Sequence, residues 1–211
     1  MTHTRLNLAY PPLDRFTRLS QRQRQARLQQ VKAGIDQADE VWIFAYGSLM
    51  WNPAFEPLER CQVNAPGFVR RHCFWTISSR GSQRTPGLGL GIEAGQQGCQ
   101  GIAQRMDSRC LDEQFEKLWD REMGTGVYQA TWIPLFTSAG RRIRGLSFVA
   151  DPNHSLYVEG LDPACMAQII SRAEGVYGKC RDYLARLLVE LDAMGVVEPE
   201  LEQLLDRVDR T

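Results

Sequence analysis

The 211-residue sequence has no long apolar run, no excess of either charge and no clustered histidines. Each absence excludes a class. A bilayer-spanning helix needs about 20 mostly apolar residues, and no such run occurs, so no membrane segment is expected. Lys+Arg and Asp+Glu each number 25. A formal net charge of zero gives no broad field toward nucleic acid or an anionic surface. His3, His72 and His154 are far apart. The six cysteines, Cys61, Cys73, Cys99, Cys110, Cys165 and Cys180, include no Cys-x-x-Cys pair, so no zinc-ligand spacing is present and no metal is expected. The first residues lack the apolar core of a secretory signal, which makes reduced thiols and a cytoplasmic location the expectation. Arg5, Arg15, Arg18, Arg22, Arg24 and Arg27 form an Arg-rich start with few acids. A plain helical extension is a simpler reading of it than a transit peptide.

Several nucleotide and nucleophile signatures are missing too. There is no phosphate-binding P-loop and no Gly-x-Ser-x-Gly elbow. Gly89-Leu90-Gly91-Ile92-Glu93-Ala94 has the letters of a dinucleotide fingerprint, but neither a strand before it nor a helix after it is expected. His72-Cys73 suggests a thiol nucleophile, yet neighbouring strand residues point to opposite faces, which favours a structural role for both.

What is present is a hydrophobic fraction of 43%, enough for one well-buried core. Residues 1–16 read as irregular around Pro11-Pro12. Residues 20–38 read as a polar helix opening at Ser20, its apolar positions sparse (Ala26, Leu28, Val31 and Ile35), that decorates a larger surface. Residues 41–46, Val-Trp-Ile-Phe-Ala-Tyr, are a buried strand ending in the turn signal Gly47-Ser48. Strand character returns over 66–79 and around Leu88, Leu90 and Ile92. A turn at 95–98 follows, with 100–106 as the hairpin partner. A helix is predicted over 111–123, then strands over 126–136 and 141–150. The remainder is helical, with Pro163 as a first helical residue after Asp162, Gly175 and Gly195 as stops, and Glu198-Pro199 opening the last helix. This order is α+β rather than a βαβ repeat. It divides into a polar, helical extension over 1–40 and one domain over 41–211.

Two features carry chemistry. Leu111, Phe115, Leu118 and Trp119 follow the i, i+4, i+7, i+8 spacing of one helix face, and the next step along that face is Glu122. A carboxyl that continues an apolar stripe is desolvated, and it also meets the negative end of the helix. Both effects raise its pKa toward the range useful for general acid/base work. A carboxylate that is solvated or paired with the adjacent Arg121 is the plainer alternative. Gly124-Thr125-Gly126 then permits a ligand to approach backbone closely. The second feature is Tyr46-Gly47-Ser48-Leu49, where a buried strand opens into successive backbone N–H groups able to hold a carboxylate or an oxyanion. An ordinary tight turn is the alternative.

The pattern as a whole resembles the ChaC-type, glutathione-specific γ-glutamylcyclotransferases. Five blocks carry the resemblance: Phe44-Ala45-Tyr46-Gly47-Ser48-Leu49-Met50-Trp51; Arg70-Arg71-His72-Cys73-Phe74-Trp75; Arg80-Gly81 through Thr85-Pro86-Gly87-Leu88; Trp119-Asp120-Arg121-Glu122-Met123 with Tyr128; and Tyr157 after Asp151-Pro152-Asn153-His154. It covers most of 41–195. The spacing Gly124-Thr125-Gly126-Val127-Tyr128 resembles the bacterial branch. The resemblance implies a small mixed β-barrel with flanking helices. It also implies cleavage of glutathione to 5-oxoproline and Cys-Gly without metal or cofactor. Glu122 is implied as the acid/base, and Ile43, Phe44, Ala45, Tyr46, Gly47, Ser48, Leu49 and Tyr157 as the substrate-binding set. The expected partner is a small γ-glutamyl compound, with no nucleic acid or membrane, and oligomeric state is left open. Two alternatives remain at this point: an enzyme for other γ-glutamyl amines or amino acids, and a non-catalytic regulatory binding protein.

Overall fold

Trp42–Ala45 forms β1, and all four residues are buried. A strand that is apolar on both faces has to satisfy both of its edges within the protein. In the computed structural model, which describes residues 10–35 and 40–211, it does so with two different neighbours. One is β5 (Cys99–Arg105), antiparallel, and the other is β7 (Arg142–Ala150), parallel. β5 continues antiparallel to β2 (Glu59–Ala65), β2 to β6 (Tyr128–Thr137), and β6 to β7. The ring β1-β5-β2-β6-β7 therefore closes on itself as a five-stranded barrel. β4 (Gly87–Ala94) adds to β7 in parallel at Ile92 and Val149, and β3 (Phe68–Thr76) adds to β4. The α+β class expected from the element order and the mixed barrel implied by the family resemblance are both present.

Two readings need correction. Residues 100–106 do form a strand, but it is not the hairpin partner of β4; it pairs with β1 and β2. The double burial of β1 requires that partner. Gly101 shows how close the fit is, since a Cβ there would stand 2.4 Å from Ala45 O and 2.7 Å from the Phe44 ring. Gly101→Ala is therefore expected to lower stability by about 1–3 kcal/mol, read as a shift of the urea midpoint at unchanged slope. The second correction concerns Gly175, which is not a helix stop. The preceding helix already ends at Arg172, and Gly175 lies in a two-residue hairpin with Gly178. A Cβ on Gly175 would meet Ser79 O at 2.3 Å.

The chain divides into two compact units. One holds Thr17–Arg71 and Leu90–His154; the other holds the described residues up to Phe16, His72–Gly89 and Ser155–Thr211. The first unit contains the whole barrel, together with α1 (Gln21–Lys32) and α2 (Leu111–Glu122). α1 begins where Ser20 and Gln23 make a reciprocal capping box. It ends at Lys32 rather than at 38, because Trp132 presses its indole against Gly34 and donates Nε1–H to Val31 O at 3.3 Å. Residues 36–38 of the expected helix lie outside the described residues. α2 buries Phe115, Leu118 and Trp119, as the periodicity predicts, and Gln114 as well. Trp119 Nε1–H donates to Arg24 O at 2.9 Å and ties the two helices.

In the other unit α3 (Pro163–Arg172), α4 (Cys180–Ala193) and α5 (Pro199–Asp209) pack on one another through Ile169, Ile170, Leu184, Leu187, Leu201 and Leu204. Asp162 caps α3 by accepting from Ala164 N–H at 2.8 Å, and Pro163 and Pro199 open their helices at the first turn. Gly195, at φ +69°, follows the end of α4 in the left-handed conformation of a glycine stop.

Candidate active site

The barrel unit brings the two chemically suggestive features together. Ile43, Phe44 and Ala45 have no exposed surface, and their backbones pair with Gln104, Ala103 and Ile102 of β5. They root the loop. Beyond them the chain leaves the barrel at Tyr46. Its hydroxyl donates to Phe148 O at 2.6 Å, and its carbonyl accepts from Arg70 Nε at 2.7 Å. Arg70 also donates to Gln100 O, so one buried guanidinium joins the loop to β5. Ser48–Met50 is a single 3-10 turn whose first hydrogen bond runs from Met50 N–H to Gly47 O at 2.8 Å. The N–H groups ahead of Met50 are not used by that turn's own ladder. Leu49 O is held by Gln104 Nε2 at 2.8 Å, and Met50 O accepts from Arg60. The loop is thus held through the carbonyls of Tyr46, Leu49 and Met50.

Glu122 is the last residue of α2, and its side chain retains 15% exposure. Burial pushes its carboxyl pKa up, while the Arg121 guanidinium pulls it back by charge and hydrogen bonding; burial wins. The inward carboxyl and the pairing with Arg121, posed as alternatives, are both real. Arg121 Nε lies 3.1 Å from Glu122 Oε1, Nη2 donates to Ser48 Oγ at 2.8 Å, and Nη1 donates to Asn52 O. One side chain therefore connects the carboxyl to the turn.

Other expectations fare differently. The space beside Gly124-Thr125-Gly126 is taken by the chain's own N-terminal segment rather than left for a ligand. Leu19 N–H donates to Gly124 O at 3.0 Å, and the Leu19 side chain lies 3.0 Å from where a Cβ on Gly126 would stand. Gly126, at φ +79°, needs its glycine for that turn. Tyr128 OH donates to Leu90 O at 2.6 Å. Tyr157 belongs to the helical unit, where it bridges Phe74. His72 and Cys73 are both buried, in keeping with structural roles. Arg70, Gln104 and Arg121 were not singled out as site residues by sequence reasoning. Arg70 sat in a recognised block without a role, and nothing in the local pattern marks Gln104.

A cavity of about 190 Å³ lies elsewhere on the barrel unit, lined by Trp42, Trp132, Arg141 and Arg144 among others. Two of its three lining arginines are engaged: Arg144 stacks on Trp132 and donates to Gly34 O, and Arg141 pairs with Glu40. It offers no acid/base group comparable to Glu122.

The fold is similar to that of a solved glutathione-specific γ-glutamylcyclotransferase from yeast. That structure superposes with a TM-score of 0.74 at 18% identity, covering 82% of this chain and 96% of that one. At such low identity the likeness concerns the fold. Sequence comparison goes further. Residues 41–211 match the family model described as ChaC-like protein. The glutathione-specific γ-glutamylcyclotransferase of Escherichia coli (strain K12) is 36% identical over 191 residues, covering 90% of this chain and 82% of that protein. The enzyme of the same name from Schizosaccharomyces pombe is 31% identical over 169 residues, covering 70% of this chain and 80% of that protein. The chain belongs to the ChaC-like family.

Proposed function

We propose that this protein is a glutathione-specific γ-glutamylcyclotransferase, with Glu122 as its acid/base and the Tyr46–Leu49 loop as its oxyanion and substrate cradle. The observation that carries the site assignment is the inward Glu122 carboxyl, joined through one guanidinium to the turn at 48–52. Family membership carries the reaction class, and the names of the relatives from two organisms carry the substrate.

The chemistry suits so small a catalytic set. The substrate's α-amine attacks its own γ-carbonyl, and the tether supplies the proximity that a two-molecule reaction would lack. Glu122 takes a proton from the α-ammonium. The α-nitrogen bonds to the γ-carbon, and the carbonyl oxygen becomes an oxyanion facing N–H groups of the loop. Collapse breaks the amide bond to the cysteine nitrogen as Glu122 returns the proton to that leaving amine, and the ring nitrogen gives its second proton to the freed Glu122 carboxylate, which passes it to the Cys-Gly amine as that product leaves as its ammonium. The products are 5-oxoproline and Cys-Gly. Atoms and protons balance with no oxidant or reductant, so the sequence calls for no cofactor.

Ile43, Phe44 and Ala45 serve as the rigid wall of the cradle. Tyr46, Gly47, Ser48 and Leu49 present backbone to the γ-glutamyl group, and Tyr157 is retained as a substrate contact on the family pattern. Residues 41–211 form the catalytic domain and 1–40 an extension to it. A cytoplasmic setting fits six free cysteines, and no helix among the described residues is long and apolar enough to cross a membrane.

The test is incubation of the pure protein with glutathione and, separately, with other γ-glutamyl amino acids and amines, followed by measurement of 5-oxoproline. Release from glutathione above all supports the reading. Release from the other compounds alone would replace it with the broader cyclotransferase. No release from any, with γ-glutamyl binding intact, would make the protein a non-catalytic binder.

A further inference from the structure

Arg121 makes three contacts through three different nitrogens, and each contact reaches a different piece of the site. Nε faces Glu122 Oε1 at 3.1 Å, Nη2 faces Ser48 Oγ at 2.8 Å, and Nη1 faces the carbonyl of Asn52. The two partners on the loop side bracket the Ser48–Met50 turn, one at its first residue and one just beyond its last. A guanidinium is planar and its donors hold fixed relative directions. Engaging all three nitrogens at once therefore sets the Glu122 carboxyl against the turn much as a rigid bracket would. The Arg121 side chain is itself only 26% exposed, so water competes for these contacts less than at an open surface.

We infer that Arg121 is the positioning residue of this site: its guanidinium fixes the Glu122 carboxyl at a set distance from the N–H groups of the 46–49 loop and keeps that carboxyl available as a base. The inference rests on the proposed cyclotransferase reading and adds a residue to it. Positioning matters here because Glu122 has to reach two nitrogens in turn, the attacking amine and the leaving one, while the loop holds the oxyanion between them. The charge of Arg121 matters as well. Burial favours the neutral carboxylic acid, whereas the first step needs a carboxylate. Arg121 opposes burial and so extends the carboxylate to lower pH.

Other charges around the carboxyl do not substitute. Arg18 lies beside Gly124, Arg27 donates to Gly126 O, and Asp120 is paired with Arg24. Among the described residues Arg121 is the charged group that touches Glu122.

Two substitutions separate the bracket from the charge. Arg121→Lys keeps a cation but loses the planar fork; Arg121→Met loses both. In the purified full chain, kcat for 5-oxoproline release is expected to fall on the order of 10²-fold in both variants, with KM changed far less. The acidic limb of the kcat/KM profile should move to higher pH in Arg121→Met and stay near the wild-type position in Arg121→Lys. A full-strength kcat in Arg121→Met overturns the inference. So does a loss of activity whose pH limb stays in place in Arg121→Met, because a purely structural role lowers the amount of folded enzyme without moving the limb. If wild type releases no 5-oxoproline at any pH, the functional reading has failed instead. The inference is then judged by carbon-detected NMR titration of the Glu122 carboxyl in the same three proteins. A midpoint that rises in Arg121→Met and not in Arg121→Lys upholds the charge and contact, and an unmoved midpoint rejects them.

Discussion

Glu122→Gln is expected to lose about 10²–10⁴ in the rate of 5-oxoproline release, the usual cost of removing one well-placed acid/base group. The substitution preserves the shape of the side chain and its oxygen facing Arg121, and it removes only the ability to accept and return a proton. Both proton transfers pass through this one carboxyl, so no second group is left to carry half of the reaction. Folding should not suffer. The folded protein holds this carboxyl above its ordinary pKa, which means that ionising it near neutrality works against the fold. An uncharged amide at the same place avoids that cost, so the melting temperature at pH 8 should be equal to or above that of wild type. Steady-state rates and a thermal melt on the same preparation make the check. A rate within a few-fold of wild type would remove Glu122 from the mechanism, while a collapsed melt would show that the side chain is needed for folding.

How much of this was legible in the sequence follows from how local each signal is. The Glu122 carboxyl was readable because a helix repeats every 3.6 residues, so Leu111, Phe115, Leu118 and Trp119 project its direction without knowledge of anything else. β1 was readable as an unbroken apolar run for the same reason. β2 was not. Its seven residues, Glu-Arg-Cys-Gln-Val-Asn-Ala, are largely polar, and only Val63 and Ala65 are buried. It is held by ladders to β5 and β6 rather than by an apolar face. The pairing of β5 is not legible locally, because register and partner choice depend on barrel closure, which no hairpin-length window contains. The bracket made by Arg121 was equally hidden. Its partners at 48 and 52 are some seventy residues away in sequence, and a charged residue one position before Glu122 looks like ordinary surface until the loop is placed against it. The family resemblance supplied the substrate, and physical pattern supplied the direction of the acid.

The second large effect concerns stability, and it arises at His72. This residue is 5% exposed, and neither ring nitrogen has a hydrogen-bond partner among the described residues. Burial alone pushes its pKa down from 6.5 to about 4. The neutral ring is therefore the form the fold accepts. Above pH 6.5 both folded and unfolded chains carry it neutral, and the residue adds no pH dependence. As pH falls below 6.5 the unfolded chain binds a proton that the folded chain refuses, so stability drops until about pH 4, where the folded protein also titrates and the loss levels off. A separation from 6.5 to about 4 corresponds to roughly 3 kcal/mol. Glu122 acts in the opposite direction, because its raised pKa favours the fold as it protonates, so the wild-type slope alone understates the histidine. The comparison that isolates it is His72→Phe, which fills the site with an apolar ring of similar breadth. Urea unfolding of both proteins at pH 7.5, 5.5 and 4 is expected to show wild type losing about 3 kcal/mol more than the variant across that window. Parallel pH curves for the two proteins would mean that His72 is protonated in the fold, or finds a partner there, and that the buried-neutral assignment is wrong.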